Sequence, residues 1–153
     1  MQTPEFDVQT AHRFFASDCF NKTWNYLEKK DRTPTENLDM ISTCRASYWH
    51  WTQVENHTPL NLSIAYWQLS RVYAVSNQPN LALSFASLCL KISQTNKLSP
   101  FYMAYAYEAL ARASSVANKP EETATWLEKA NNVAESELET DEKQQLLTDL
   151  NTI

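Results

Sequence analysis

IAYWQLSRVYAV, residues 64–75, returns in altered form 41 residues later as YAYEALARASSV, residues 105–116. When residues 59–99 are set over residues 100–140 without gaps, the two segments keep the same register along a helix-length stretch and the turn after it. The identical pairs include Pro59/Pro100, Ala65/Ala106, Tyr66/Tyr107, Leu69/Leu110, Arg71/Arg112, Asn77/Asn118 and Pro79/Pro120. Self-similarity at a period of 20–50 residues is typical of stacked supersecondary units, so the chain is predicted to be a repeat protein.

The six prolines predict six helix starts. Proline is tolerated at the first helical position because its missing N–H would be unpaired there and its φ is already helical. No segment alternates apolar and polar residues long enough to predict a strand, so the fold class is all-α. The predicted helices span about 4–29, 34–54, 59–76, 79–96, 100–117 and 120–137, with a seventh from Asp141 to Leu150 behind Thr140.

Polar residues mark the predicted helix ends. Thr33 and Glu36 have the spacing of a capping box at the start of the second helix. In the first segment, Ser17-Asp18 is a candidate internal cap that would break the helix. Because asparagine tolerates the left-handed conformation better than most residues, four asparagines are predicted C-caps. They are Asn56, Asn77, Asn96 and Asn118.

The repeated pattern resembles the tetratricopeptide repeat, in which small residues lie where two helices touch and large ones lie between them. In the first copy the matching residues are Tyr66, Leu69, Ser70, Tyr73, Ala82, Phe85, Ala86 and Cys89. In the second copy they are Tyr107, Leu110, Ala111, Trp126, Leu127 and Ala130, with Ser114 and Thr123 as weaker matches.

The resemblance covers residues 59–140, although the period of 41 exceeds the usual 34 residues and implies longer helices or a longer connection through residues 94–99. It implies one domain, 1–153, built as a right-handed stack of about three antiparallel helical hairpins. Residues 4–56 would form a divergent hairpin and residues 141–150 a capping helix. Leu146, Leu147 and Leu150 of that helix are expected to cover the last repeat. The chain is also similar to bacterial single-domain proteins of this type.

Composition excludes several function classes. The chain contains no glycine, which argues against phosphate loops and nucleotide-binding turns. Its net charge is −5, and residues 120–153 carry 2 basic against 9 acidic residues, so no basic stripe is available for nucleic acid. The three cysteines, Cys19, Cys44 and Cys89, have no CxxC spacing and indicate small buried residues in a reducing compartment. No apolar run reaches the roughly 18 residues of a membrane span, so no membrane partner is expected and the predicted location is the cytoplasm.

The resemblance implies that the first helix of each pair lines a concave face. In the first copy this face would carry Leu60, Ile64, Trp67, Arg71 and Ala74, and in the second Phe101, Tyr105, Glu108, Arg112 and Ser115. Two arginines with aromatic neighbours would suit a carboxylate, a phosphate or a peptide terminus. The predicted ligand-binding residues are therefore Ile64, Trp67, Arg71, Tyr105, Glu108 and Arg112.

A structural role is the alternative for the same residues. Glu108 and Arg112 are four apart and would pair on the helix surface, and Trp67 would stack against Arg71 as a cation–π contact.

The aromatic run Tyr48-Trp49-His50-Trp51 is a second candidate region, in which His50 is a predicted ligand-contacting or titrating residue. His12, His50 and His57 come from different segments, and no Glu-x-x-His pattern predicts a metal site. There is no Gly-x-Ser-x-Gly motif and no phosphate loop. The sequence therefore predicts no catalytic residue, no metal and no cofactor.

These observations favour a non-enzymatic module that binds a protein or peptide partner on its concave face. One alternative is a symmetric homodimer that pairs the aromatic face and buries Trp49 and Trp67. Another is a small-molecule sensor or enzyme with a pocket near His50, Trp67 and Arg71.

Overall fold

The computed structural model describes residues 5–153, which form seven α-helices and no strand. This confirms the predicted all-α class. The helices are α1 (Val8–Leu27), α2 (Pro34–Gln53), α3 (Pro59–Val75), α4 (Pro79–Thr95), α5 (Pro100–Val116), α6 (Pro120–Glu137) and α7 (Thr140–Leu150).

Five prolines are the first residues of α2 to α6, as their positions predict. The sixth, Pro4, lies outside the described residues, and α1 begins at Val8 behind an Asp7 N-cap. The capping box of α2 is present, with Thr33 N–H donating to Glu36 Oε2 at 2.8 Å and Glu36 N–H to Thr33 Oγ1 at 3.2 Å. A second box at α3, between Thr58 and Asn61, was not predicted.

The predicted break in the first helix is wrong, because α1 runs through Ser17-Asp18 without interruption. Two contacts, each between residues four positions apart, stabilise this stretch of the helix. Asp18 pairs with Lys22 at 2.7 Å, and the Thr23 hydroxyl donates to the carbonyl of Cys19 at 2.8 Å. Asp18 therefore acts as an i,i+4 partner rather than as a cap.

Helices α3, α4 and α5 end in Schellman motifs, in which a residue with positive φ follows the helix and the next N–H bonds back to a carbonyl five residues earlier. Asn77 (φ 55°) and Asn118 (φ 57°) take this position as predicted. Asn96 is the C-cap of α4 as predicted, but its φ is −98°, and the residue with positive φ is Lys97 (φ 49°). Leu98 N–H donates to Ser93 O at 3.0 Å. The prediction for Asn56 is also wrong, because α2 ends at an extended cap, Val54.

Neighbouring helices pack as hairpins, α1 with α2, α3 with α4 and α5 with α6, and α3 also contacts α5. This arrangement is consistent with a helical repeat stack. Alanines such as Ala82, Ala86, Ala106 and Ala130 are fully buried, which lets the helices approach closely. Helix α7 packs on α5 and α6, with Leu146 and Leu150 buried and Leu147 partly buried, as predicted for a capping helix.

Within residues 5–153, every helix is too short or too polar to cross a membrane.

Candidate functional site

Glu108 on α5 lies at the centre of a buried ionic cluster. Its side chain is fully buried, and its Oε1 accepts from Arg71 Nη1 at 3.0 Å and from Arg112 Nε at 2.8 Å. Its Oε2 accepts from the indole Nε1 of Trp67 at 2.8 Å. The carboxylate is thereby compensated by two guanidinium groups and one neutral donor, as a buried charge requires.

Helix α7 and the residues after it complete the ionic cluster. Asp149 Oδ1 accepts from Arg71 Nη2 at 3.4 Å, and Asp149 Oδ2 accepts from the Tyr105 hydroxyl at 2.8 Å. Arg112 Nη2 donates to the carbonyl of Asp149 at 3.0 Å and to Thr152 Oγ1 at 2.7 Å. The two arginines balance the two carboxylates, so the cluster is electrically neutral only while α7 is docked.

Two groups of this cluster have shifted pKa values. Burial lowers the pKa of Arg112, and the neighbouring Glu108 carboxylate opposes that shift. Arg112 stays charged, because guanidinium groups do not lose their proton in proteins. Burial, reinforced by the hydrogen bond to Asp149, raises the pKa of Tyr105. Tyr105 therefore keeps its proton and can donate to Asp149.

An aromatic cavity of about 360 Å³ lies beside the ionic cluster. This volume is within the roughly 300–1,000 Å³ of ligand pockets. The lining residues come from five helices and are uncharged. They are Phe20 and Trp24 from α1, Ser63, Ile64 and Trp67 from α3, Cys89 from α4, Phe101, Tyr102 and Tyr105 from α5, and Gln145 from α7.

Two rings of the cavity wall are held by the ionic cluster. Trp67 donates to Glu108, and Tyr105 donates to Asp149. The two rings also pack edge to face, with centroids 5.5 Å apart, and Trp24 lies 5.6 Å from Trp67. Because each ring has a hydrogen bond at its polar atom and a neighbour at its face or edge, this wall is preorganised.

The structure divides the predicted ligand-binding residues into three groups. Ile64, Trp67 and Tyr105 line the aromatic cavity. Arg71, Glu108 and Arg112 lie together in the ionic cluster, where the chain itself supplies their partners. His50 lines neither and lies in a separate group on α1 and α2.

Two of the alternative structural interpretations need correction. Glu108 and Arg112 do pair, but with residue exposures of 0% and 9% the pair is buried and not on the surface. Trp67 contacts the ionic cluster through its indole N–H to Glu108 instead of stacking its ring on Arg71.

Sequence reasoning missed Asp149, Phe20 and Trp24. Asp149 carried a usable signal, because it lies three residues after Leu146 and next to Leu150, both of which are buried. An acidic residue between two buried leucines of a short capping helix is a candidate partner for a basic residue on the helix that it covers.

His50 contacts His12 across the first hairpin, with their Nδ1 atoms 2.8 Å apart. Burial lowers the pKa of His50, and so does the neighbouring His12. The rings of Trp49 and Phe15 pack on His50, and Trp49 remains 52% exposed. Across the described part of the chain, no three His, Cys, Asp or Glu side chains are grouped so that they could hold a metal ion.

No protein-family model matches the chain, and comparisons with curated proteins and with solved structures also find no match.

Proposed function

We propose that this protein is a non-enzymatic binding module that accepts an apolar side chain of a partner protein or peptide in its aromatic cavity. The observation that carries the proposal is the cavity itself, an uncharged space of about 360 Å³ walled by Trp24, Trp67, Phe101 and Tyr105. Aromatic pockets of this kind hold the central anchor residues of many protein interfaces.

The lining favours a neutral, apolar occupant. A charged group inside the cavity would lose water without gaining an opposite charge, because the four charges of the ionic cluster already balance one another. Burial of a large apolar side chain contributes about 1.5–3 kcal/mol, and a preorganised wall lowers the entropic cost of binding.

The ionic cluster supports this function indirectly. Arg71 and Arg112 were predicted to bind a ligand's acidic group, and their observed partners are Glu108 and the Asp149 region of α7. We therefore assign these arginines a positioning role: they hold the carboxylates that in turn hold Trp67 and Tyr105.

The test is a selection of random displayed peptides against the full chain, followed by titration of the selected peptides using tryptophan fluorescence. We expect the peptides to share one bulky apolar residue. Ile64→Arg, at a half-buried position of the cavity wall, should abolish binding. The matched control, Leu88→Arg, alters an exposed residue of α4 outside the cavity and should leave binding unchanged. Peptides that bind the Ile64→Arg variant as well as the wild type would refute the proposal.

A symmetric homodimer remains a second candidate, since α1 and α2 expose Phe14, Phe15 and Trp49. Such a dimer would use Trp49 without Trp67, which is buried. Light scattering on the wild type and on a Phe14→Ser/Phe15→Ser variant tests it, and a wild type that is monomeric at high micromolar concentration would exclude it.

The small-molecule alternative would use the aromatic cavity without His50. Two results together would support this alternative. A free apolar compound would bind saturably, and the peptide selection would show no sequence preference.

A further inference from the structure

A second cavity of about 330 Å³ adjoins the aromatic one along α1 and α3. Phe20 and Ile64 line both cavities, so the two lie side by side with this pair of side chains between them, and we call the two together the groove. The other lining residues of the second cavity are Ser17, Asn21, Trp51 and Asn61. This end of the groove is therefore uncharged, like the first, but is richer in hydrogen-bonding side chains.

The carboxamide of Asn61 is held in a defined orientation. Its Oδ1 accepts from the backbone N–H of Thr58 at 2.9 Å and from the Thr58 hydroxyl at 3.0 Å, as part of the α3 capping box. Because the oxygen is used in this way, the Nδ2 group is the part of the side chain left to donate to an occupant. Across the groove, Ser17 and Asn21 are four residues apart and so share one face of α1.

We propose that the second cavity is a main-chain subsite, in which Asn61 and Asn21 bind backbone amides of the segment whose apolar side chain fills the aromatic cavity. This inference rests on the proposed function and identifies its ligand as a neutral, extended peptide segment. An extended chain advances about 3.3 Å per residue, so the residues flanking the anchor reach the second cavity.

Charge and hydrogen bonding together select this occupant. No charged side chain lines either cavity, so a charged headgroup or an acidic peptide would be desolvated there without a partner. A wholly apolar molecule would fill the aromatic end and make no hydrogen bond with Asn61 or Asn21. A peptide backbone is neutral and offers a carbonyl and an N–H at every residue, which suits both ends of the groove.

Two probes separate the two cavities. Toluene tests the aromatic cavity alone, and the blocked pentapeptide acetyl-AAFAA-amide tests both. Each is titrated by NMR into the full chain, into Asn21→Ala and into Asn61→Asp, which keeps the capping oxygen but removes the amide donors. The matched control is Asn25→Ala, an exposed residue of α1 that lines neither cavity.

We expect toluene to bind all four proteins equally. The pentapeptide should bind five- to tenfold more weakly to Asn21→Ala and to Asn61→Asp, about the loss of one neutral hydrogen bond, and normally to Asn25→Ala. If both probes bind but neither asparagine variant weakens the pentapeptide, or if only toluene binds, the main-chain subsite is overturned while the aromatic cavity stands. If neither probe binds, the proposed function itself is overturned. Thermal melting of each variant distinguishes a loss of pentapeptide binding from unfolding. Because alanine has a higher helix propensity than asparagine, Asn21→Ala keeps the test valid if Asn61→Asp is unstable.

Discussion

Replacement of Glu108 by glutamine tests whether the ionic cluster stabilises the fold. The substitution keeps the size of the side chain and an oxygen that can accept hydrogen bonds, but it removes the charge between Arg71 and Arg112. The Glu108 side chain is 0% exposed, and those of Arg71 and Arg112 are 14% and 10% exposed. Asp149 would then be the only carboxylate facing two buried guanidinium groups, so the cluster would carry one uncompensated positive charge.

Removing one partner of a buried ion pair costs about 3–5 kcal/mol. Because glutamine keeps one acceptor oxygen for the two arginines and Arg71 retains some contact with water, we expect the lower end, about 3 kcal/mol. In a chain of this length each kcal/mol shifts the melting temperature by about 2–4 °C, so Glu108→Gln should melt about 6–12 °C below the wild type.

Urea denaturation followed by circular dichroism measures the free energy of unfolding, and the indole N–H resonance of Trp67 reports the local hydrogen bond. The control is Glu128→Gln, an exposed glutamate of α6, which should change stability by less than about 0.5 kcal/mol. A loss below about 1 kcal/mol for Glu108→Gln, with the Trp67 resonance unmoved, would refute the idea that this carboxylate fixes the cavity wall.

Three further predictions concern a helix end, the capping helix and the histidine pair. Lys97→Gly should raise the free energy of unfolding measured by urea denaturation by about 1 kcal/mol, because Lys97 has a left-handed conformation (φ 49°) that glycine adopts without strain. The control is Lys91→Gly, inside α4, which should lower that free energy by about the same amount. Leu146→Ala should cost about 3 kcal/mol, because Leu146 is the fully buried residue through which α7 packs on the rest of the fold. Protection of α5 amides from hydrogen exchange that is unchanged by the mutation would contradict this. The pKa of His50 is lowered by burial and by His12, so the native state binds fewer protons than the unfolded state just below the ordinary histidine pKa of about 6.5. The free energy of unfolding should therefore fall as the pH drops from above the ordinary pKa to below the lowered pKa of His50. His50→Gln should reduce this dependence on pH, and an equal dependence in both proteins would contradict the prediction.

The sequence predicted helix boundaries well because local rules decide them. Proline at the first helical position and asparagine after the last turn act through their own backbone preferences, which do not depend on the rest of the fold. Lys97 is one of the places where this reasoning failed, together with Asn56 and the predicted break at Ser17-Asp18. The Schellman hydrogen bonds fix where the left-handed residue must lie, and Asn96 is one position too early for it.

The candidate site was predicted only in part, because its outcome depends on partners distant in the chain. The resemblance placed Ile64, Trp67 and Tyr105 on one predicted face, and all three line one cavity in the structure. The resemblance could not reveal that Asp149, 37 residues after Arg112, contacts both Arg71 and Arg112. Periodicity reports which face of a helix a residue occupies, but it does not report what covers that face.

The repeat itself explains why a buried carboxylate lies between two arginines. Arg71 and Arg112 are equivalent positions of the two copies, and so are Trp67 and Glu108, which are 41 residues apart in the chain. Because α3 and α5 are the first helices of adjacent copies and pack together, equivalent positions face each other, and Trp67 donates to Glu108 across that contact at 2.8 Å.

With tryptophan at both positions, or glutamate at both, this contact could not join an acceptor to a neutral donor. A carboxylate in both copies would place two negative charges side by side, and an indole in both would leave Asp149 as the one carboxylate of the cluster for two arginines. The difference between Trp67 and Glu108 therefore serves two purposes: Glu108 compensates Arg71 and Arg112, and Trp67 is held in place as a wall of the aromatic cavity. In this chain, the exchange of an indole in one copy for a carboxylate in the next marks the buried contact between α3 and α5.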